Sequence, residues 1–241
     1  MSLSLQGTYA LVTGSTDGLG KKTAFELARQ GAHLIIHGRS QEKVARTVQE
    51  LQKEIPSAQC HTIICDLEKP ETVGKAFSSI ERLDILINNA GVWKEGSTLH
   101  LSSKNIIELV TVNTMAPLLI TRLLLPRLLQ SDFGQIINVV SIAGVEIPFG
   151  YYHTLYTATK FAMQGFTEGL AKEFYNKNLR VMGYYPGGME TNIFKKAGNK
   201  YNSHEPWMFD PQESAEAILF MLTRNKKINL KRMDVVNQLE I

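Results

Sequence analysis

Six short runs dominated by apolar residues, without polar–apolar alternation, recur along this chain between longer amphipathic stretches. They span residues 9–12 (YALV), 32–37 (AHLIIH), 59–65, 84–88 (DILIN), 135–140 (QIINVV) and 179–185. A strand with one wet face alternates, so runs of this kind imply strands buried on both faces, in a parallel sheet covered by helices. The stretches between them carry helical spacing over 18–30, 42–55, 71–82, 102–129, 154–175 and 211–223. Gly31 closes the first, Pro56 ends the second and Pro211 opens the last. Pro117 lies inside the 102–129 stretch and predicts a kink there. Residues 227–241 are ambiguous, with one edge strand as the reading kept. Strand–helix alternation with right-handed crossovers gives an α/β fold, a doubly wound, Rossmann-like parallel sheet in a single domain of 241 residues. Ligands of such sheets bind beyond the carboxyl ends of the strands.

Composition excludes several classes of function. The net charge is +3 and the basic residues are dispersed, with Lys195-Lys196 and Lys226-Lys227 as pairs only, so nucleic acid is not expected. No apolar stretch approaches the roughly 20 residues that span a bilayer, so no membrane partner is expected. Met1 to Leu5 lacks a basic segment and a long apolar core, against a signal peptide. Cys60 and Cys65 bracket one strand and face opposite sides, a poor geometry for a disulfide and a better one for free thiols. A cytoplasmic protein is the resulting expectation. No set of His, Cys and carboxylates has ligand spacing, so no metal is expected.

Every chemically suggestive motif follows one of the predicted strands. Thr13 to Gly20 reads T-G-S-T-D-G-L-G and joins the first strand to the first helix. Gly14, Gly18 and Gly20 permit a tight turn and a close approach of backbone to a pyrophosphate, which the helix N-terminus favours. An ordinary glycine-rich β–α turn is the plain alternative. The second strand ends in His37-Gly38-Arg39-Ser40. An NAD site usually places an acid here, to bind the ribose 2′-hydroxyl. Gly38 holds that place and Arg39 follows, a cation suited to a 2′-phosphate, so NADP(H) is expected over NAD(H). A solvated Arg39 is the alternative, and Asp17 in the same mouth is unhelpful to phosphate. Tyr156 and Lys160, at i and i+4, share a helix face. A cation beside a phenol lowers its pKa from about 10 and makes it a usable acid/base near neutrality. Alone, Tyr-x-x-x-Lys is common by chance. Ser141, at the end of the fifth strand, is placed to hold a carbonyl oxygen beside the phenol.

Taken in order, T-G-S-T-D-G-L-G at 13–20, Asp66, N-N-A-G at 88–91, Asn113, Ser141 with Tyr156-x-x-x-Lys160, and P-G-G-M-E-T at 186–191 resemble the short-chain dehydrogenase/reductase family over about residues 5–225. The resemblance implies an oxidoreductase acting on a small carbonyl compound or secondary alcohol. Gly14, Ser15, Thr16, Gly18, Leu19 and Gly20 would lie on the pyrophosphate side, with Arg39, Ser40, Asp66 and Leu67 toward the adenosine. Asn88, Ala90 and Gly91 would lie along the cofactor, and Pro186, Gly187, Met189 and Thr191 would border the nicotinamide. Tyr156 would be the acid/base, and Lys160 would tune it and bind the nicotinamide ribose. Ser141 would orient the substrate, and Asn113 would serve a water relay. Read alone, Asn88 and Asn89 could satisfy backbone groups, Asn113 could mark the kink, and Asp66 could be a turn residue.

Ser141 and Tyr156 stand somewhat further apart than is usual in the family, with the extra residues in the 145–154 loop. The ending at 226–241 lacks the glycine-rich tail of relatives, which puts their tetramer contacts in doubt. A lid is expected at 189–210. With Trp93, Phe149, Tyr151 and Tyr152, its Ile193, Phe194, Trp207, Met208 and Phe209 either build an apolar pocket or pack the lid onto the body. Ala158, Ala162, Gly165 and Gly169 form a small-residue stripe facing either the protein's own sheet or a partner's helix. A homodimer, or else a tetramer, is expected from the family. The competing functions are a non-catalytic NADP-binding regulator on the same fold and an interaction protein without cofactor.

Overall fold

A computed structural model of the chain describes residues 3–147, 152–201 and 204–239. Seven parallel strands are ordered β3-β2-β1-β4-β5-β6-β7: β1 (Tyr9–Val12), β2 (His33–Gly38), β3 (Cys60–Ile64), β4 (Ile85–Asn88), β5 (Gly134–Val139), β6 (Leu179–Pro186) and β7 (Arg232–Val235). Helices α1 (Gly18–Arg29), α2 (Gln41–Glu54), α3 (Pro70–Phe77), α4 (Ser103–Val110), α5 (Ala116–Gln130), α6 (Thr154–Glu173), α7 (Ile193–Lys196) and α8 (Pro211–Leu222) complete it. The strand order reverses between β1 and β4, which opens the crevice where a doubly wound sheet binds its ligand.

The missing alternation has a direct cause. Ala10, Val12, Leu34, Ile36, Ile85 and Ile87 enter one core, with Leu27, Ile218 and Met221. Their chain neighbours Leu11, Ile35 and Leu86 enter the other, with Phe77, Ile120 and Leu124. Both faces of the central strands are therefore dry. Cys60 packs against the first core and Cys65 lies in the second, and both are free thiols. The edges depart from the pattern: β3 buries one residue well, and β7 is half exposed, as a final edge strand can be.

Two expectations need correction. The 71–82 helix ends at Phe77, five residues early. There the Ser78 hydroxyl donates to the Lys75 carbonyl, the local bond by which serine competes with helix propagation. The 102–129 stretch is α4, one wide π turn (Thr111–Met115) and α5. Pro117 cannot donate to the carbonyl four residues back, and the wide turn lies just upstream of it. This run, Ser103–Gln130, is 28 residues long, and an 18-residue window within it has a mean hydropathy of 1.4. By length and hydropathy alone it could cross a membrane, contrary to the sequence expectation; half of its apolar window is buried inside the protein.

Arg180, a cation inside an apolar strand, is 3% exposed. Its guanidinium donates to the carbonyls of Ile228 (2.7 Å), Leu222 (2.8 Å) and Arg224 (3.3 Å) and to Gln135 Oε1 (3.1 Å). Burial, and then Arg224, lower its pKa to about 10. These bonds fasten the α8–β7 connection to β6.

Candidate active site

The turn after β1 is shaped by what it cannot contain. Gly14 and Gly18 have φ of 66° and 50°. A Cβ on Gly20 would stand 2.3 Å from Asn89 Nδ2 and 2.5 Å from the Gly14 carbonyl oxygen. Thr13 Oγ1 accepts the amides of Asn89 and Ala90, each at 3.0 Å, and so ties the ends of β1 and β4 together. Asp17 caps α1 by accepting the Gly18 amide at 2.8 Å. A cradle with no room for a Cβ, at a helix N-terminus on the crevice, fits a dinucleotide pyrophosphate.

Ser15 does not line this cleft. It is fully buried, and its hydroxyl accepts the His37 amide at 2.9 Å, pinning the turn to β2. His37 was not anticipated from the sequence. Its Nδ1 accepts the Gly14 amide at 3.0 Å, which requires an unprotonated Nδ1. Burial pushes its pKa down to about 4. The folded state therefore binds this proton less well than the unfolded chain does. Stability from this group is complete above about pH 6.5, is lost as pH falls toward 4, and stays lost below. Urea denaturation at pH 7 and pH 4 should differ by about 3 kcal/mol through His37. His37→Asn, which keeps an acceptor for Gly14, should narrow that difference; an unchanged difference would remove His37 as its source.

Arg39, Asp66 and Leu67 line the same cleft, as do Thr16, Gly18 and Leu19. Ser40 instead caps α2, accepting the Lys43 amide at 3.3 Å. Asp66 Oδ1 accepts the Glu68 amide at 3.2 Å, so it is a turn residue as well as a cleft residue. Asn88 turns inward: its Nδ2 donates to Asn138 Oδ1 (2.8 Å) and Thr121 Oγ1 (3.0 Å). The cleft wall is formed by Asn89, Ala90 and Gly91. Period two sends one asparagine of the pair to each face, and the sequence does not say which.

Tyr156 and Lys160 lie one turn apart on α6, each 6% exposed, and both line a cleft of about 1040 Å³. Lys160 Nζ sits 5.5 Å from the Tyr156 ring centroid and donates to the Val139 carbonyl at 3.1 Å. Burial lowers its pKa to about 8. Gly144 lets α6 approach: a Cβ there would stand 2.8 Å from the Lys160 carbonyl oxygen. Ser141, at φ 155° and ψ 156°, is the one described non-glycine residue with positive φ, a backbone region that glycine favours and that clusters at functional sites. Its hydroxyl accepts the Ala143 amide (3.2 Å) and donates to the Pro186 carbonyl (3.4 Å). Asn113, in the π turn, accepts the Val92 amide (2.8 Å) and donates to the Val92 carbonyl (2.9 Å) and Thr159 Oγ1 (3.2 Å). Both of its amide protons are used in holding the post-β4 loop against α6.

The cleft wall beside Tyr156 is aromatic. Trp93 meets Tyr156 edge-on at 4.5 Å and lies 4.4 Å from the His153 ring. Phe194 contacts Trp93, Tyr201 and Trp207. Trp207 lies over Gly188, where a Cβ would stand 2.2 Å from the indole. The aromatics of the 189–210 segment thus pack on one another and line the cleft together. Charges rim them: Lys94 pairs with Glu108 at 3.0 Å, and Glu95 accepts from Asn199 and Tyr201. Asp17 pairs with Lys196 at 2.7 Å, fastening α7 to the glycine turn. Pro186, Gly187, Met189 and Thr191 line the cleft, while Phe149 and Tyr151 lie outside the described residues. Past β7, Val236 reaches the cleft and Asn237 donates to the Met208 carbonyl, so the atypical C-terminal segment is tied to the 189–210 segment. Among the described residues no cluster could hold a metal. The α6 stripe is solvent-exposed, and a Cβ on Gly165 or Gly169 would touch nothing, so it does not face the protein's own sheet.

A family model described as short chain dehydrogenase matches residues 8–202. A 3-oxoacyl-(acyl-carrier-protein) reductase of Aquifex aeolicus is 32% identical over 231 residues, covering 92% of both chains. An NADP-dependent 3-hydroxy acid dehydrogenase of Schizosaccharomyces pombe is 33% identical over 240 residues, covering 93% of this chain and 90% of its own. Among solved structures, a short-chain dehydrogenase of Sphingobium yanoikuyae in complex with NADPH superposes with a TM-score of 0.83 at 26% identity, covering 97% of this chain and 89% of the other. An archaeal alcohol dehydrogenase of Thermococcus sibiricus, complexed with 5-hydroxy-NADP, has the same fold, with a TM-score of 0.89 at 21% identity over 98% and 99% of the two chains. The chain belongs to the short-chain dehydrogenase/reductase family, and it is an oxidoreductase.

Proposed function

We propose that the protein interconverts a hydrophobic carbonyl compound and its secondary alcohol with NADP(H), using Tyr156 as proton donor and acceptor. The observation that carries this is the buried Tyr156–Lys160 pair, in one cleft with Ser141 and the glycine cradle. When bound, the nicotinamide supplies or receives the hydride. Gly14, Gly18 and Gly20 hold the pyrophosphate, and Ser141 Oγ orients the carbonyl oxygen by turning its one proton to it from the Pro186 carbonyl. In reduction Tyr156 Oη gives its proton to that oxygen; in oxidation the phenolate takes it back. The Lys160 ammonium stabilises the phenolate by its charge, at short range and away from water. Asn113 holds the corner that positions Lys160. Trp93, Phe194 and Trp207 exclude water and favour an apolar substrate. A homodimer is supported by the exposed α6 stripe, with Ile107 and Phe161 also exposed on α4 and α6.

Arg39 supports NADP(H) over NAD(H), as do the named cofactors of the relatives. Initial rates on a panel of hydrophobic ketones test the choice. NADPH should be used at lower KM than NADH, and Arg39→Ala should raise the NADPH KM about tenfold while sparing NADH. Equal or better use of NADH would contradict the assignment.

A further inference from the structure

β2 and β3 run parallel with Gly38 opposite Ile64, and the Cys65 amide donates to the Gly38 carbonyl at 3.1 Å. The chain leaving β3 therefore passes the end of β2. Asp66 fixes that passage by accepting the Glu68 amide, and Glu68 Oε1 accepts from Arg39 Nη1 at 2.8 Å. Both side chains line the cleft, 66% exposed for Arg39 and 37% for Glu68. A Cβ on Gly38 would stand 2.7 Å from Thr16 Cγ2 and 3.0 Å from Val44 Cγ2. The strand end thus has no room for the acidic residue that would read a ribose 2′-hydroxyl. The carboxylate bound to Arg39 at this edge is Glu68, brought from the neighbouring strand.

We propose that Glu68 is a specificity-determining residue, a resident anion that Arg39 must give up when a 2′-phosphate binds, so that Glu68 limits the preference for NADP(H). Resting on the reading of Arg39 as the 2′-phosphate residue, the role follows from charge. A guanidinium has five donors but one positive charge. A phosphate arriving at Arg39 meets a carboxylate already there, and the two anions repel. NAD(H), with a bare 2′-hydroxyl, leaves the Arg39–Glu68 pair in place. The pair is solvent-exposed, so its effect is a few-fold one and weakens with salt.

Cofactor affinity tests this without reference to turnover. Trp93 and Trp207 both line the cleft and report binding by fluorescence quenching. NADPH and NADH are titrated into wild type, Glu68→Gln, Glu68→Ala, Arg39→Ala and the Arg39→Ala/Glu68→Gln double variant, at low and high salt. Both Glu68 variants should tighten NADPH about three- to tenfold at low salt, with NADH within about twofold. The gain should shrink at high salt, and in the Arg39→Ala background it should fall to the part owed to direct repulsion between the Glu68 carboxylate and the phosphate. If wild type binds NADPH no better than NADH and Arg39→Ala changes nothing, the reading of Arg39 is overturned. If Arg39 does confer the preference but the Glu68 variants bind NADPH unchanged or more weakly, the role of Glu68 alone is overturned.

Discussion

Tyr156→Phe should reduce turnover about a thousandfold while leaving cofactor affinity within about twofold. The substitution keeps the ring that packs edge-on against Trp93 and removes only the hydroxyl. The glycine cradle is untouched, and so is the bond from Lys160 to the Val139 carbonyl, so the dinucleotide site should survive. General acid–base catalysis is commonly worth a hundred- to ten-thousandfold, about 3–5 kcal/mol of barrier, and no other described phenol has a lysine one turn on. Steady-state rates, with a parallel fluorescence titration of NADPH, measure both halves. A variant with near wild-type turnover would remove Tyr156 from the chemistry. A variant that also loses the cofactor would make it a binding residue instead.

Gly20→Ala should be nearly as damaging, by a different route. The added methyl meets Asn89 Nδ2 and the Gly14 carbonyl, at 2.3 and 2.5 Å. Neither is the end of a long side chain: Asn89 is held by its bond to the Thr13 carbonyl, and Gly14 by its bond to His37. Relief requires the turn itself to move, at a cost of about 2 kcal/mol in stability, and it moves the amides that face the pyrophosphate. Cofactor affinity should fall at least about tenfold. Gly74→Ala is the matched control. It lies in α3 on an exposed position with nothing within 4 Å of the added carbon, and should stabilise by about 0.5–1 kcal/mol through helix propensity alone. Chemical denaturation and NADPH titration of the two variants separate steric damage from a general intolerance of alanine.

The same contrast explains what was legible in the sequence. Strands buried on two faces write themselves as apolar runs, so the central strands stood out, and the parallel sheet with them; β3 was legible from its apolar residues although it buries only one of them well. Tyr156 and Lys160 were legible because helix geometry fixes what four residues of spacing means. Gly14, Gly18 and Gly20 were legible because few turns need three such residues. The partners of His37 and Arg180 were not legible. Each is a polar side chain in an apolar strand, and its partners lie 23 to 48 residues away at no fixed spacing. Nor could spacing decide between Asn88 and Asn89, or show that Ser15 and Ser40 serve the chain rather than the cleft. The aromatics of the 189–210 segment sit on irregular chain and on one four-residue helix, too short for periodicity to report which ring touches which.

Transfer of deuterium from C4-labelled NADPH to the product alcohol tests the central claim most directly. On the ketone panel, wild type should place the label on the carbinol carbon, and Tyr156→Phe should do so about a thousandfold more slowly despite binding the cofactor. Wild type that binds NADPH yet transfers no label, or transfers it no faster than Tyr156→Phe, would contradict the account.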